Sequence, residues 1–236
     1  MKVLVIIPAY NEEKVIVNTI NNLKKNTQNV DYVIINDCST DDTYAVCKEN
    51  YFNVISLPAN LGIGGAVQTG YKYAYENDYD IAIQMDADGQ HDPSFVSKLV
   101  AKIEEGNDLV IGSRFIEKEG FQSSLIRRLG IKLYSSIIKI FTRKTIKDTT
   151  SGFRAANKKI IKMFAKSYPV DYPEPETDAM IAKAGFNIVE IPVKMSAREE
   201  GKSSITPKKS IYYAVKVGLA VTLACISKHK EVKKNG

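Results

Sequence analysis

Short runs rich in Val and Ile alternate with helical patterns over the first 112 residues of this 236-residue chain. Apolar runs at 2–7, 31–36, 52–57, 80–85 and 108–112 are bounded by polar breaks, which predicts strands. Between them, helical patterns lie near 12–25, 41–50, 63–76 and 93–105. The last opens with Asp92-Pro93, a capping residue followed by proline in the first turn. Strands spaced by helices build right-handed crossover units. The expected fold class is therefore α/β, a Rossmann-like and mostly parallel sheet with flanking helices. Ligands of such sheets bind at the carboxyl ends of the strands, so the residues just past each run are the ones that matter.

Past residue 113 the rhythm changes. Residues 121–143 read as one basic amphipathic helix, with Phe121, Leu125, Ile126, Leu129, Leu133, Ile137, Ile140 and Phe141 set against Arg127, Arg128, Lys132, Lys139 and Arg143. An irregular stretch over 148–154 precedes helices at 157–166 and 175–184, a strand at 187–193 and a polar loop at 195–206. A largely apolar helix from Ser210 to Ser227 and a lysine-rich tail follow. The expected organisation is one α/β domain over 1–206, then an amphipathic or apolar helix and basic tail over 207–236. The sheet is expected to stand without that last helix.

Charge divides the chain more sharply than its total of +6. Residues 1–113 carry 8 basic and 16 acidic side chains, whereas residues 114–162 carry 13 basic and 3 acidic. Residues 194–236 add a second basic block, with 10 basic and 3 acidic side chains. Two segregated blocks point to an anionic partner, be it phosphate, membrane or nucleic acid, although each lysine alone reads as a solvated face. The three cysteines, Cys38, Cys47 and Cys225, lack metal-ligand spacing and read as free thiols in a reducing compartment. The amino-terminal residues run straight into a strand with no signal-peptide pattern, so the chain is expected to stay in the cytosol.

Three strand ends carry candidate chemistry. The run at 80–85 ends in Asp86-Ala87-Asp88-Gly89-Gln90-His91. Two carboxylates two residues apart can share one hard divalent cation, and such a cation can hold a diphosphate; a plain Asp-rich turn is the alternative. His91 reads either as a neighbour of that site or, as a lone His in a turn usually does, as a solvated residue. The run at 31–36 ends in Asp37, a carboxylate able to accept from a nucleobase or ribose, with Ser39 or Thr40 as cap of the next helix. The turn Asn60-Leu61-Gly62-Ile63-Gly64-Gly65 opens a helix either as a phosphate cradle or as a close-packing glycine turn.

Taken with Ile7-Pro8-Ala9-Tyr10-Asn11-Glu12-Glu13, Gly112-Ser113-Arg114-Phe115, the 148–154 stretch, Glu190-Ile191-Pro192-Val193 and Arg198-Glu199-Glu200-Gly201-Lys202-Ser203-Ser204, these motifs occur in the order found in family 2 glycosyltransferases. The later ones resemble the branch of dolichyl-phosphate mannose synthase and bacterial polyprenyl-phosphate glycosyltransferases. The resemblance spans about 3–206 and implies a GT-A fold, an inverting transfer from a nucleotide-sugar and a Mg²⁺ or Mn²⁺ cofactor. It implies nucleoside-binding roles for Pro8, Tyr10, Glu12 and Asp37, and catalytic, metal and diphosphate roles for Asp86, Asp88 and Gln90. Arg198 resembles the catalytic loop arginine at the diphosphate, and Arg114, Arg127 and Arg128 resemble the acceptor-phosphate positions. Many relatives hold Lys where this chain has Ile63, which removes one diphosphate contact.

Two acceptors fit this reading. A hydroxyl acceptor needs a carboxylate base. Glu174, Glu176 and Asp178 lie where hydroxyl-transferring relatives often hold theirs, with Glu176 or Asp178 as the candidates, although ordinary helix-start acids account for all three. A polyprenyl phosphate is mostly dianionic at neutral pH and needs cations instead, which the basic block at 114–162 supplies. The helix at 121–143 is either interfacial or core-packed with a solvated face. Ile211 to Ile226 is shorter than the ~20 residues of a bilayer span, so it lies in the interface or packs on a partner. The expectation is a sugar transfer to polyprenyl phosphate at the inner face of the cell membrane. The enzyme would sit peripherally on an anionic surface, with a small membrane protein as an optional partner. Nucleic acid is not an expected partner, because no stacking-aromatic or DNA-binding motif accompanies the basic blocks.

Overall fold

The computed structural model describes residues 1–117, 119–120, 125–196 and 207–227, apart from the side chains of residues 126 and 207–213. Its strands are β1 (Val3–Ala9), β2 (Asp31–Asn36), β3 (Val54–Ser56), β4 (Ile81–Gln84), β5 (Leu109–Ser113), β6 (Arg154–Asn157) and β7 (Ile188–Pro192). They form one sheet in the order β3-β2-β1-β4-β6-β5-β7. Helices α1 (Ile16–Asn26), α2 (Thr43–Glu49), α3 (Gly62–Glu76), α4 (Val96–Glu104), α5 (Leu125–Thr142), α6 (Lys158–Lys166), α7 (Pro173–Lys183) and α8 (Pro207–Ile226) flank it. Side chains along β1 alternate between the two faces, as a strand's period of two requires. Val3, Val5 and Ile7 pack with α1, α2 and α4, while Leu4 and Ile6 pack with α3, α6 and the helices beyond.

The strand that sequence patterning misses is β6, placed by that reading in an irregular stretch. Its residues Arg-Ala-Ala-Asn show neither an apolar run nor an alternation. It nevertheless runs antiparallel between β4 and β5, pairing Gln84 with Arg154 and Ile111 with Arg154. The other ladders are parallel. Ala155 faces one core and Ala156 the other, and Arg154 lies fully buried beneath α7. Its guanidinium donates to the Ser151 carbonyl, to Thr177 Oγ1 and, at 3.1 Å, to Asp178 Oδ1. Removing one partner of such a pair strands a buried charge at about 3–5 kcal/mol, so this contact fixes the position of β6.

The final helix departs from expectation as well. Val217, Val221, Ala224 and Cys225 are buried in the same core as α3, α6 and α7, and α8 packs along α5 and α7. The last helix is therefore part of the domain that it was expected to follow. Its opposite side leaves Val215, Leu219, Leu223 and Ile226 exposed. The tail beyond Ser227 lies outside the described residues. No described helix is long and apolar enough to cross a membrane.

The two sides of α8 give opposite outcomes on mutation. Val221→Asp buries a charge in the core and is expected to abolish the cooperative melt or lower it by several kcal/mol. Leu219→Asp, on the exposed side, is expected to stay within about 1 kcal/mol of wild type. Thermal denaturation followed by circular dichroism measures both.

Candidate active site

The order β3-β2-β1-β4 places the carboxyl ends of β2, β1 and β4 side by side. The chain leaves β1 to one side through β2 and returns to its other side as β4, so this is the sheet's switch point, where ligands bind. A cavity of about 820 Å³ opens there, and Pro8, Tyr10, Glu12, Asp37, Asp86 and Asp88 all line it. All four nucleoside-side candidates and both acids of the Asp-x-Asp thus meet in one space. Lys14 also lines it, a cation that sequence reasoning passed over.

The loops after β1 and β2 are stitched together. Asn11 donates its N–H to Ser39 Oγ at 3.0 Å and accepts the Thr40 N–H at 2.8 Å, while the Glu12 N–H goes to Thr43 Oγ1 at 2.8 Å. Ser39 and Thr40 therefore do not cap α2 as expected. The N-cap residue Asp42 makes no side-chain capping bond either; Asp41, one residue before it, accepts the Thr43 N–H at 3.0 Å. Burial pushes the Asp41 carboxyl up, but hydrogen bonds from Thr43 and Glu13 prevail and hold it below its usual range. Asp37 is buried, and its Oδ1 accepts the Leu61 N–H at 2.7 Å where α3 opens. In the glycine turn there, Asn60, Gly62 and Ile63 line the cavity, while Gly64 serves packing. A Cβ on Gly64 would come within 2.4 Å of the Pro169 and Val170 carbonyl oxygens, which leaves no room for any other residue.

Asp86 and Asp88 differ in surroundings. Asp88 is buried, and its Oδ1 accepts the Gln90 N–H at 3.1 Å. Asp86 Oδ1 is buried with no hydrogen-bond partner among the described residues. The backbone of Gly152 lies against this carboxylate, since a Cβ there would sit 3.2 Å from both oxygens. A buried, unpartnered carboxylate oxygen beside a second carboxylate fits a hard divalent cation. Among the described residues no group of three or more His, Cys, Asp or Glu forms a metal cage. Asp86, Asp88 and Gln90 would thus hold the ion jointly with a diphosphate and water, the mode usual for Mg²⁺. The Gln90 side-chain N–H donates to the Ser196 carbonyl at 3.2 Å, which leaves its oxygen for that role.

The expected acceptor-phosphate arginines separate. Arg114 is buried and bound bidentately to Asp148, at 2.8 and 2.7 Å, and Asp148 is itself held through its N–H by Glu190. Arg114 thus braces the 148–154 turn and does not lie open to a phosphate, contrary to expectation. Arg127 is exposed as a whole residue, while its guanidinium is partly desolvated and feels the charges of Arg114, Asp148, Glu174 and Asp86. Partial burial and then the Arg114 charge lower its pKa, against those three acids. At about 100° per residue, Arg128 points to a different side of α5 from Arg127. Arg198 lies outside the described residues.

The expected bases also move. Asp178 is fully buried on Arg154, and burial pushes its pKa up to about 7 against that cation. Glu176 faces Asp171 and Lys216 rather than the cavity; burial and then Asp171 raise its pKa. Neither is placed to take a proton from an acceptor. The carboxylate beside Asp86 is Glu174, whose Oε1 accepts from Gln84 at 3.3 Å. Burial and, more weakly, Asp86 push its pKa up, while Arg154 opposes them. His91 is buried rather than solvated, with Nδ1 on the Asp86 N–H. The only sequence signal for it was adjacency to the Asp-x-Asp.

Comparisons with known proteins bear on the family and the fold. A model of glycosyl transferase family 2 matches residues 4–164. The chain is 35% identical over 214 residues to the UDP-N-acetylglucosamine–dolichyl-phosphate N-acetylglucosaminyltransferase of Methanococcus voltae, covering 81% of this chain and 84% of that one. It is 27% identical to the polyprenol monophosphomannose synthase of Mycolicibacterium smegmatis, with 87% and 81% covered. Glucosyl-3-phosphoglycerate synthase from Mycobacterium tuberculosis, crystallised with Mn²⁺ and UDP-glucose, matches with a TM-score of 0.69 at 20% identity, covering 97% of this chain and 80% of that one. That last likeness shows the fold alone. The family match takes in every strand that borders the cavity, and the chain belongs to glycosyl transferase family 2, with a GT-A fold.

Proposed function

We propose that the protein transfers a hexose or N-acetylhexosamine from a UDP- or GDP-sugar to a polyprenyl phosphate, with inversion, at the cytoplasmic face of a membrane. The observation that carries this reading is the meeting of the nucleoside-side residues with Asp86 and Asp88 in one cavity. The relatives named for dolichyl and polyprenyl phosphate support the acceptor class.

In this reading Pro8, Tyr10, Glu12 and Asp37 bind the nucleoside, and Asp86 orients the donor. Bound Mg²⁺ or Mn²⁺ supplies positive charge to the departing diphosphate, held by Asp88 and Gln90, with Arg198 as a further contact. A phosphate oxygen of the acceptor attacks the anomeric carbon as the bond from that carbon to the nucleoside diphosphate breaks. No proton has to leave, because the second pKa of a phosphate monoester is near ~6. In this reading Arg127 neutralises the attacking phosphate.

The acceptor would reach the site from a bilayer. Leu125, Leu129, Leu133, Ile140 and Phe141 on α5 are exposed, and α5 packs along α8, which has an exposed apolar side of its own. Arg128, Lys132 and Lys139 flank that stripe, the composition of a surface that binds anionic headgroups at about 1 kcal/mol per close charge. Anionic lipid is the proposed occupant of this face.

Labelled UDP- and GDP-sugars incubated with undecaprenyl phosphate are expected to give organic-extractable label; undecaprenol in its place gives none. Transfer to the alcohol alone would overturn the phosphate acceptor. Asp88→Asn is expected to slow transfer on the order of a thousandfold with melting unchanged, and EDTA to do the same to wild type. Glu174→Gln separates the two acceptor chemistries. A phosphate acceptor predicts a rate within a few fold of wild type, whereas loss of a general base costs roughly 10²–10⁴. The double variant Leu219→Asp, Leu223→Asp is expected to bind phosphatidylglycerol vesicles at least tenfold more weakly in co-sedimentation, at roughly 1.5–3 kcal/mol per buried leucine.

A further inference from the structure

We infer that His91 is a positioning residue that fixes Asp86 for the donor and cation. The inference rests on the role proposed above for Asp86. The His91 Nδ1 accepts the Asp86 N–H at 3.0 Å. A ring nitrogen that accepts carries no proton, so the neutral ring is protonated on Nε2. That Nε2–H lies 3.9 Å from Asp86 Oδ2, beyond hydrogen-bond reach but within a small movement of it. One imidazole therefore grips the backbone of Asp86 and also faces its carboxylate.

The ring has little freedom to leave. It is 7% exposed and stacks on Phe153, with centroids 5.0 Å apart and planes 12° from parallel. Its backbone pairs with Met195, and the neighbouring Gln90 exchanges hydrogen bonds with Ser196. Gly152 closes in on the same carboxylate, since a Cβ there would sit 3.2 Å from both oxygens. The Asp86 side chain, 36% exposed, thus lies against both the Gly152 backbone and the imidazole, while its Oδ1 has no hydrogen-bond partner among the described residues. Such contact without a hydrogen bond keeps a ligating oxygen in place without spending its lone pairs. Ligands held by such outer contacts typically lose 10–100-fold in metal affinity when the contact is removed.

Two amides distinguish this role from simple packing. Asn at 91 carries its side-chain oxygen near the place of Nδ1, whereas Gln reaches the place of Nε2 and cannot accept the Asp86 N–H. Mn²⁺ affinity is measured by electron paramagnetic resonance on the full chain with UDP and, separately, with GDP. His91→Asn is expected to stay within about threefold of wild type and His91→Gln to weaken binding by about tenfold or more. Equal affinities, or Gln better than Asn, overturn the inference. The second measurement needs no metal: ¹⁵N-coupled histidine spectra of wild type, with His229→Asn to remove the chain's other histidine for assignment, are expected to show the Nε2–H tautomer of His91. An Nδ1–H tautomer overturns the inference by itself, and that spectrum decides if the variants fail to fold. A wild-type protein that binds nucleotide but no Mn²⁺, and still shows the Nε2–H tautomer, sinks the metal reading and leaves the hold of His91 on Asp86 intact.

Discussion

Much of this molecule hangs on the burial of one guanidinium. Arg154 sits at the start of an antiparallel strand inserted into the middle of a parallel sheet, where a fully buried charge is tolerated only with complete pairing. Its partners come from α7 and from the turn before β6, so satisfying the charge also docks α7 and seats the turn. Burial lowers the pKa of Arg154, but Asp178 and then Glu174 outweigh that effect and keep it charged. The seated turn brings Gly152 against Asp86, so a contact beneath the sheet shapes the cavity above it.

The same turn is held from the other side by ionic contacts. Glu190 on β7 accepts the Lys147 and Asp148 N–H groups, and Asp148 grips Arg114. Motifs scattered through the second half of the sequence thus converge on the placement of one backbone segment. In the sequence, Arg114 looked like a ligand for phosphate. The geometry gives it a bracing task.

Where local pattern and tertiary structure agree, the sequence was informative. Strands β1, β2, β4 and β5 are apolar runs buried on both faces, and the residues past three of their ends form the cavity. Strand β6 was hidden because Arg-Ala-Ala-Asn owes its place to partners distant in sequence. The acids of α7 were misjudged for a similar reason. Glu174, Glu176 and Asp178 look alike along a helix start, and only the neighbours brought in by folding set them apart, Asp86 for the first, Lys216 for the second and Arg154 for the third. His91 shows the same limit, since nothing in a turn's composition reveals that its imidazole will be buried on Phe153.

Helix α8 is core on one side and bare hydrocarbon on the other. A helix so committed cannot swing out as a tether without unfolding part of the domain. On the proposed docking, the protein meets the bilayer as a rigid body, at one tilt and one depth. The cavity mouth then stands at a set height above the headgroups, and an acceptor is chosen by how far its phosphate rises from the membrane plane. Hydrocarbon deeper than that plane goes unread, so tails of quite different length and saturation would serve the same catalyst.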